Sequence, residues 1–511
     1  MQAQVLTDKS KLSKFELAVL IFASTVTITL VSTCSPLYPF NPWDDVNCFY
    51  TLGRGIIHGL IPYKDLYEQK GPILYFLYAF AALISEKSLF VIWIFECISA
   101  SVYSVYSWKI IKLFSNPSKF SIAIMPLFTG AVYTIKMFNF GGNAEELCFP
   151  LLTIVLFIVL KSIVNSDGLP TKIEAVLCGL ISGVLFWVKY TFLGFMIGIC
   201  IYILLLTIKR KSLLRLWSLV WRFLAGFIII SIPVLLYFLF NGALINLWEA
   251  YFYNNIFYYH SYSSNGIPII SKLIMIAYEL YVTIKAFPVF GVMLLLSLIA
   301  MLFIGKTQRK KTYILFFLTL SISAAFIFTR AVLIYYYGYL MCYCFGFALL
   351  PIVNGWNKLE NLLKQNKSFI RSLLTIFFLV IYALSIFLCK NMYLIFKPKT
   401  SLAQFRMAET INQTPDAKVL TYDVMDAGFY TAAGLLPCNR YYCFLNIEDT
   451  YPPILEEQNR LIDSGYFDYI VTSCVFDEEF TNYELVQEES IHYVDFDGKE
   501  ILTGYKLYKK I

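Results

Sequence analysis

Charged residues are scarce in this sequence. Asp, Glu, Lys and Arg account for 15% of its 511 residues, whereas 59% are hydrophobic. The mean hydropathy of +0.65 lies far above that of soluble globular domains. One or two aqueous cores cannot hide so much apolar surface. The composition therefore excludes soluble enzymes and disordered scaffolds and indicates an integral membrane protein.

The sequence also lacks the patterns of common metal and phosphate-loop sites. It has only three histidines, and none of its 12 cysteines forms a Cys-x-x-Cys pair, so a zinc site is not predicted. The C-terminal part contains no glycine-rich phosphate loop and no nucleophile elbow. Its cysteines, Cys438, Cys443 and Cys474, can form a disulfide only in an oxidising compartment. The sequence leaves that pairing open.

Long apolar runs dominate the rest of the chain. We predict eleven membrane helices, at residues 17–33, 89–108, 120–138, 147–164, 174–188, 191–208, 223–240, 281–304, 313–328, 333–351 and 373–388. The run from 174 to 208 would form a helix of about 50 Å, too long for one crossing. We therefore expect it to break at Lys189-Tyr190.

Basic residues are distributed unequally between the connections of these helices. Alternate connections, starting with the N-terminus, contain 21 Lys and Arg, against nine in the opposite set before the tail. This bias predicts a multi-pass cell-membrane protein with a cytoplasmic N-terminus, and an odd helix count places the C-terminus outside. The basic residues form short clusters between apolar runs, so they indicate topology rather than a nucleic-acid partner.

The C-terminal tail differs in charge and pattern from the membrane part. Residues 400–511 carry a net charge of −11, and the remainder carries +18. We predict two domains, a membrane domain at 1–395 and a soluble extracytoplasmic α/β domain at 396–511. In the tail, 418–422 and 466–472 are predicted strands, 454–463 a helix, and 491–508 a hairpin that turns at Asp497-Gly498.

The first outer loop, residues 34–88, concentrates the candidate chemistry. The acidic pair Asp44-Asp45 follows the first membrane helix, and Lys70 precedes a short apolar stretch at 72–83. We predict surface helices at 44–58 and 72–83, the second at the membrane interface. This arrangement places acid and base at the same membrane depth, as an anionic lipid-linked substrate requires. Alternatively, the acidic pair only caps the helix that follows it.

A second acidic pair occurs in the outer loop at 139–146. Glu145-Glu146 follows Gly141-Gly142, and these carboxylates too can cap the next helix. The recurrence of an acidic pair on the same predicted side, together with the isolated cations Lys70 and Lys189, favours a functional interpretation.

These motifs resemble the GT-C glycosyltransferases, in particular the group of the protein O-mannosyltransferases and the lipid A aminoarabinose transferase. A short cytoplasmic N-terminus, one helix and an acidic pair in a long outer loop precede a G-x-x-x-Y-x-D-x-x-x-x-K-G-P stretch at 59–72. The Trp187-Val188-Lys189-Tyr190 segment is similar to the bacterial branch. The resemblance covers most of residues 15–200.

The resemblance implies a polyprenyl-phosphate sugar donor and transfer on the extracytoplasmic face. Asp44 matches the catalytic base, and Lys70 and Lys189 match lysines that contact the donor phosphate. Asn47 stands where the aminoarabinose branch has a basic residue. Further candidates for the active site are Asp45, Tyr63, Asp65, Glu145 and Glu146.

Inverting sugar transfer requires these residue types. One carboxylate accepts the proton of the acceptor hydroxyl, and cations or a metal meet the charge that grows on the leaving phosphate. Asp45 or Glu145 can instead hold a divalent cation such as Mg²⁺ or Mn²⁺. The acceptor is expected to be a glycan or lipid of the cell envelope. The alternatives are a transporter or flippase of lipid-linked sugars and a noncatalytic membrane scaffold; no internal repeat favours transport.

Overall fold

The computed structural model describes residues 10–134, 138, 140–165, 167–258, 269–286, 288–327, 338–362, 367–448, 450–494 and 500–511. Within them the chain is mainly helical. The α-helices are α1 (Lys14–Val31), α2 (Asp44–Ile57), α3 (Pro72–Ile84), α4 (Phe90–Phe114), α5 (Ile124–Tyr133), α6 (Ala144–Asn165), α7 (Lys172–Val188), α8 (Leu193–Lys209), α9 (Leu213–Phe240), α10 (Leu244–Leu247), α11 (Asn254–Phe257), α12 (Ile269–Ala286), α13 (Pro288–Ala300), α14 (Lys306–Ile327), α15 (Gly338–Leu362), α16 (Lys367–Phe387), α17 (Ala403–Ile411), α18 (Phe429–Ala433) and α19 (Pro453–Asp463).

The predicted multi-pass helical fold is confirmed. Each of the eleven predicted membrane segments overlaps a helix. In the described part of the chain, six helices are long and apolar enough to cross a membrane: α1, α4, α6, α8 with the short turn before it, α9 and α16. The segment predicted at 281–304 is divided between α12 and α13. The number of crossings and the orientation of the termini stay predictions.

The predicted break at Lys189 is present. Helix α7 ends at Val188, Lys189 is extended, and a 3-10 turn at Tyr190–Phe192 leads into α8. Helix α7 begins with a capping box in which Thr171 and Glu174 satisfy each other's free backbone N–H groups. A Cβ at Gly179 would overlap the backbone of Phe223, so glycine allows α7 and α9 to touch.

The chain divides into two compact units. Unit 1 comprises Met1–Ser35, Trp93–Pro233 and Gly266–Tyr393, and unit 2 comprises Pro36–Ile92, Val234–Asn265 and Leu394–Ile511. Unit 2 therefore unites the tail with the first outer loop and with the connection after α9. The division at 395/396 stays a prediction about whether the tail folds by itself.

The tail contains the predicted α/β pattern. Strands β1 (Val419–Thr421), β2 (Tyr469–Ser473), β3 (Tyr483–Val494) and β4 (Glu500–Lys510) form one sheet in the order β1-β2-β4-β3. The β1 and β2 pair is parallel, and β4 is antiparallel to both β2 and β3. Helix α19 links β1 and β2 in sequence, as predicted. The predicted turn at Asp497-Gly498 lies outside the described residues.

Buried side chains explain why the sheet forms there. Leu420 of β1 and Ile470 of β2 pack with Phe467 and with Ile462 of α19 in one apolar cluster. The two strands are short and almost wholly buried, as expected of parallel strands that are covered on both faces. The tail thus has an apolar core of its own within unit 2.

The two surface helices of the first outer loop, α2 and α3, are present almost at their predicted bounds. They pack closely, because a Cβ on Gly53 of α2 would lie 2.6 Å from the carbonyl carbon of Tyr78 in α3. Only glycine permits this approach. The acidic pair begins α2 and Lys70 lies just before α3, so this packing fixes both groups in one part of unit 2.

Candidate active site

Asp44 occupies the first position of α2. The residue before the helix is Trp43, and no side chain caps the helix N-terminus by a hydrogen bond. Among the described residues, Asp44 has no hydrogen-bond or ion-pair partner. Burial, and then the nearby charges of Asp45 and Asp426, raise the pKa of Asp44 to about 7. The Asp44 carboxylate therefore makes no capping hydrogen bond at the start of α2.

Asp426 is a carboxylate from the tail that the sequence analysis missed. Its side chain is fully buried; it accepts hydrogen bonds from the Thr51 hydroxyl of α2 and from the Gly428 N–H, the latter at 2.8 Å. Burial raises the pKa of Asp426 to about 6, although these bonds and the charge of Arg54 oppose the shift. Nothing local in Asp426-Ala427-Gly428 distinguishes it from an ordinary turn.

Asn47 ties down the segment that precedes α2. Its amide donates to the carbonyl oxygens of Asn41 at 3.0 Å and of Trp43 at 2.9 Å. Asn47 is completely buried. The residue that stands at the basic position of the aminoarabinose branch therefore holds the start of α2 in place.

Lys70 lies beside the second carboxylate of the pair. Its Nζ is 3.9 Å from Asp45 Oδ1 and 3.6 Å from Glu68 Oε1. It also lies over the Phe49 ring, 5.6 Å from the ring centre. About a fifth of the Lys70 side chain is exposed. Lys70 and the acidic pair are thus brought together, as the sequence predicts.

Tyr63 and Asp65 shape the loop that carries Lys70. Tyr63 is fully buried and adopts a left-handed backbone conformation with φ of 68°. Its hydroxyl donates to the Lys70 carbonyl oxygen at 2.6 Å, and the Asp65 carboxylate accepts from the Ile61 N–H at 2.8 Å. Both candidates therefore position the loop backbone, a role that fits the unusual conformation of Tyr63.

The tail and the first outer loop share many polar contacts inside unit 2. Arg54 of α2 donates to the carbonyl oxygens of Tyr430 and Leu435, at 3.1 and 2.9 Å. The Tyr67 N–H donates to the Arg440 carbonyl oxygen at 2.9 Å. These contacts show that the tail supports the loop that carries the acidic pair.

The tail cysteines are not paired with one another. Cys438, Cys443 and Cys474 are free thiols. Cys443 instead lies against Cys48 of α2, with their sulfur atoms 3.9 Å apart and both side chains buried. The nearest thiol to Cys443 therefore belongs to the first outer loop, which the sequence does not predict.

The second acidic pair belongs to unit 1 and is fully engaged. Glu145 accepts from Lys189 Nζ, and both residues are buried. Glu146 Oε2 and Glu96 Oε1 both face the Gly142 N–H, at 3.2 and 2.6 Å.

The cap of α6 is a neighbouring side chain rather than the acidic pair. Asn143 Oδ1 accepts the Glu146 N–H at 2.7 Å. Asn143 thereby satisfies one of the free N–H groups at the start of the helix. The Glu145 carboxylate instead pairs with Lys189, and the Glu146 carboxylate accepts from the Gly142 N–H.

Asp45 and Glu145 are the residues predicted to hold a divalent cation. In the part of the chain that the structure describes, no three His, Cys, Asp or Glu side chains gather as ligands. Asp45 already faces an ammonium group. The divalent cation stays a prediction, and we derive no step through one.

Comparison with known proteins finds structural similarity without a sequence match. No protein-family model and no curated protein matches this sequence. Among solved structures, the chain is similar to ArnT from Cupriavidus metallidurans, a structure with undecaprenyl phosphate bound, at a TM-score of 0.54 and 11% identity. The match covers 96% of this chain and 97% of that chain. At this identity the likeness shows the fold alone: the chain has a polytopic helical fold similar to that of ArnT, with a C-terminal α/β region.

Proposed function

We propose that this protein transfers a sugar from a polyprenyl-phosphate donor to an acceptor outside the cytoplasm, with inversion at the anomeric carbon. The observation that carries the proposal is Asp44, a carboxylate at the start of α2 with a pKa raised to about 7 and no hydrogen-bond partner among the described residues. The GT-C type of fold, shared with a protein solved with undecaprenyl phosphate, supports it.

Asp44 is the proposed general base. It takes the proton of the acceptor hydroxyl while that oxygen forms a bond to the anomeric carbon, and the bond to the phosphate oxygen breaks. A base works best when its pKa lies near the working pH, because it is then ionised and still binds a proton well. A pKa of about 7 meets this condition, whereas an ordinary surface carboxylate does not.

Lys70 is the proposed partner of the leaving phosphate. The electron pair of the broken bond stays on the polyprenyl phosphate, which needs positive charge but no proton. Lys70 is partly exposed, and its two carboxylate neighbours lie 3.6 and 3.9 Å away, beyond an ideal charge-assisted hydrogen bond. An incoming phosphate can therefore replace these contacts with shorter ones.

Lys189 is the second proposed phosphate-binding lysine. Its ammonium is bonded to Glu145, so donor binding there requires sharing or exchange of that partner. Glu145, Glu146, Tyr63 and Asp65 act in this proposal by holding the lysines and their loops. The acceptor is a cell-envelope polysaccharide, a teichoic acid or a lipid, and the donor enters from the bilayer.

Purified protein in vesicles with a radiolabelled polyprenyl-phosphate sugar tests the proposal. We expect label to move to an envelope glycan or lipid fraction, and Asp44→Asn to bind donor without transfer. Movement of the labelled lipid between leaflets without transfer would instead establish the flippase alternative. The absence of both transfer and movement would indicate a scaffold.

A further inference from the structure

A basic cavity lies between α8 and α14, and none of the candidate site residues lines it. It has a volume of about 470 Å³. Lysine side chains form one part of its wall and apolar side chains the other; the lining residues are Tyr202, Leu205, Leu206, Lys209, Lys306, Lys310, Lys311 and Ile314. All of them belong to unit 1.

Helix packing explains how the lysines come together. A Cβ at Gly198 of α8 would overlap the backbone of Thr319 in α14, so the two helices touch there. Lys209 is the last residue of α8 and Lys306 the first of α14. The two helices therefore run in opposite directions, and their basic ends meet at one end of the pair.

These lysines have no carboxylate partner among the described residues. None of Lys209, Lys306, Lys310 and Lys311 forms an ion pair or hydrogen bond there. The neighbouring Asp167 is already bound by Arg210, at 3.1 Å, and by Arg215. Arg309 is also engaged, because it donates to the carbonyl oxygens of Ile304 and Leu302. Lys209, Lys306 and Lys310 are exposed, so water screens part of their mutual repulsion, and an anion in the cavity would be attracted by all four charges.

Tyr202 of α8 is the aromatic residue that lines this cavity. Tyr202 is only 3% exposed, and its phenol oxygen has no hydrogen-bond partner among the described residues. A buried unsatisfied hydroxyl costs about 1–3 kcal/mol, so a ligand that bonds to it gains affinity.

We propose that this cavity binds an anionic phospholipid, with the phosphate among the lysines and Tyr202 and the acyl chain along Leu205, Leu206 and Ile314. Basic pockets between membrane helices commonly hold such headgroups. The Lys and Arg bias predicts this end of the helix pair to be cytoplasmic, opposite the proposed transfer site. The proposal concerns lipid binding and does not depend on sugar transfer.

Titration of the purified full-length chain in neutral detergent tests the proposal, with native mass spectrometry and the melting temperature as readouts. The probes are phosphatidylglycerol, phosphatidylcholine and inorganic phosphate. We expect phosphatidylglycerol alone to bind tightly and to raise the melting temperature. Equal protection by inorganic phosphate would overturn the lipid as the ligand, as would equal binding of phosphatidylcholine.

Variants localise the binding. Each lysine near an anionic lipid contributes about fivefold in affinity, so the double variant Lys306→Gln/Lys310→Gln should bind phosphatidylglycerol about 25-fold more weakly. Tyr202→Phe removes only the hydroxyl and should weaken binding severalfold without unfolding the chain. Lys358→Gln is the matched control, an exposed lysine on α15 that does not line the cavity. Equal losses in the control and the cavity variants, or none in either, would refute the site.

Discussion

Asp44-Asp45 and Glu145-Glu146 occupy equivalent places in the sequence, since each pair lies in the first turn of a helix. Their surroundings differ. Glu145 is bonded to Lys189, and Glu146 faces the Gly142 N–H. Asp44 has no such partner among the described residues. A carboxylate already committed to a buried cation stabilises the fold, whereas an uncommitted one with a pKa near neutrality can accept a proton from a substrate.

The largest effect should come from Asp44→Asn. Asparagine keeps the shape of the side chain but cannot accept the proton, so transfer should fall about 100- to 10,000-fold. Radiolabel transfer by purified protein measures the loss, and donor binding should persist. Asp45→Asn is the matched control and should be damaged less. Near-normal transfer by the Asp44 variant, together with an inactive Asp45 variant, would show that Asp45 is the general base.

Removing the cation that is bonded to the second acidic pair should lower the stability of the protein. Lys189→Met leaves Glu145 buried without its cation, which typically costs about 3–5 kcal/mol of unfolding free energy. The melting temperature of the purified protein should fall accordingly. The double variant Lys189→Met/Glu145→Met should recover most of the loss, because it removes both charges. A single variant as stable as the native chain would show that the pair is not structural.

Lys70→Ala should have a smaller effect and act on donor use. A charge-assisted contact with phosphate contributes about 1.5–3 kcal/mol, or about 10- to 150-fold in transfer. Lys70→Arg should recover only part, because a planar guanidinium does not reproduce a point charge. The ratio of kcat to KM with varied donor is the measurement. Unchanged donor use by the alanine variant would remove Lys70 from the proposed site.

Asp426→Asn should have the smallest effect on the rate of transfer. Its effect should be seen mainly in how kcat/KM depends on pH. The proposed base must be ionised, so kcat/KM should fall as the pH drops below about 7. Removing the Asp426 charge lowers the pKa of Asp44, so this acidic limb should move to lower pH while the rate at high pH stays similar. The single carbonyl oxygen of asparagine can still accept from the Gly428 N–H, and its amide can donate to the Thr51 hydroxyl. An unmoved limb with a lower rate throughout would indicate a purely structural role.

Local sequence pattern was sufficient for the elements of the fold. Apolar runs predicted the membrane helices, and the length limit on one crossing predicted the break at Lys189. In the first outer loop, α2 and α3 lie within one residue of their predicted bounds. These features depend on hydrophobicity, length and turn residues that are close in sequence.

Contacts between distant residues could not be predicted in the same way. Asp426 is an unremarkable turn residue until the fold brings it to Thr51, and Cys443 lies next to Cys48 for the same reason. In each case the partner is far away in the chain, where periodicity carries no information.

The bond between Thr51 and Asp426 joins residues 375 positions apart. At a synthesis rate of about 5–20 residues per second, the carboxylate follows the hydroxyl by roughly 20 to 75 s. Helix α2 therefore leaves the ribosome long before its partner does, and during that interval Arg54 lacks its acceptors Tyr430 and Leu435 as well. A chain halted before residue 426 cannot complete the surroundings of Asp44. Maturation of the proposed base is thus tied to the end of translation.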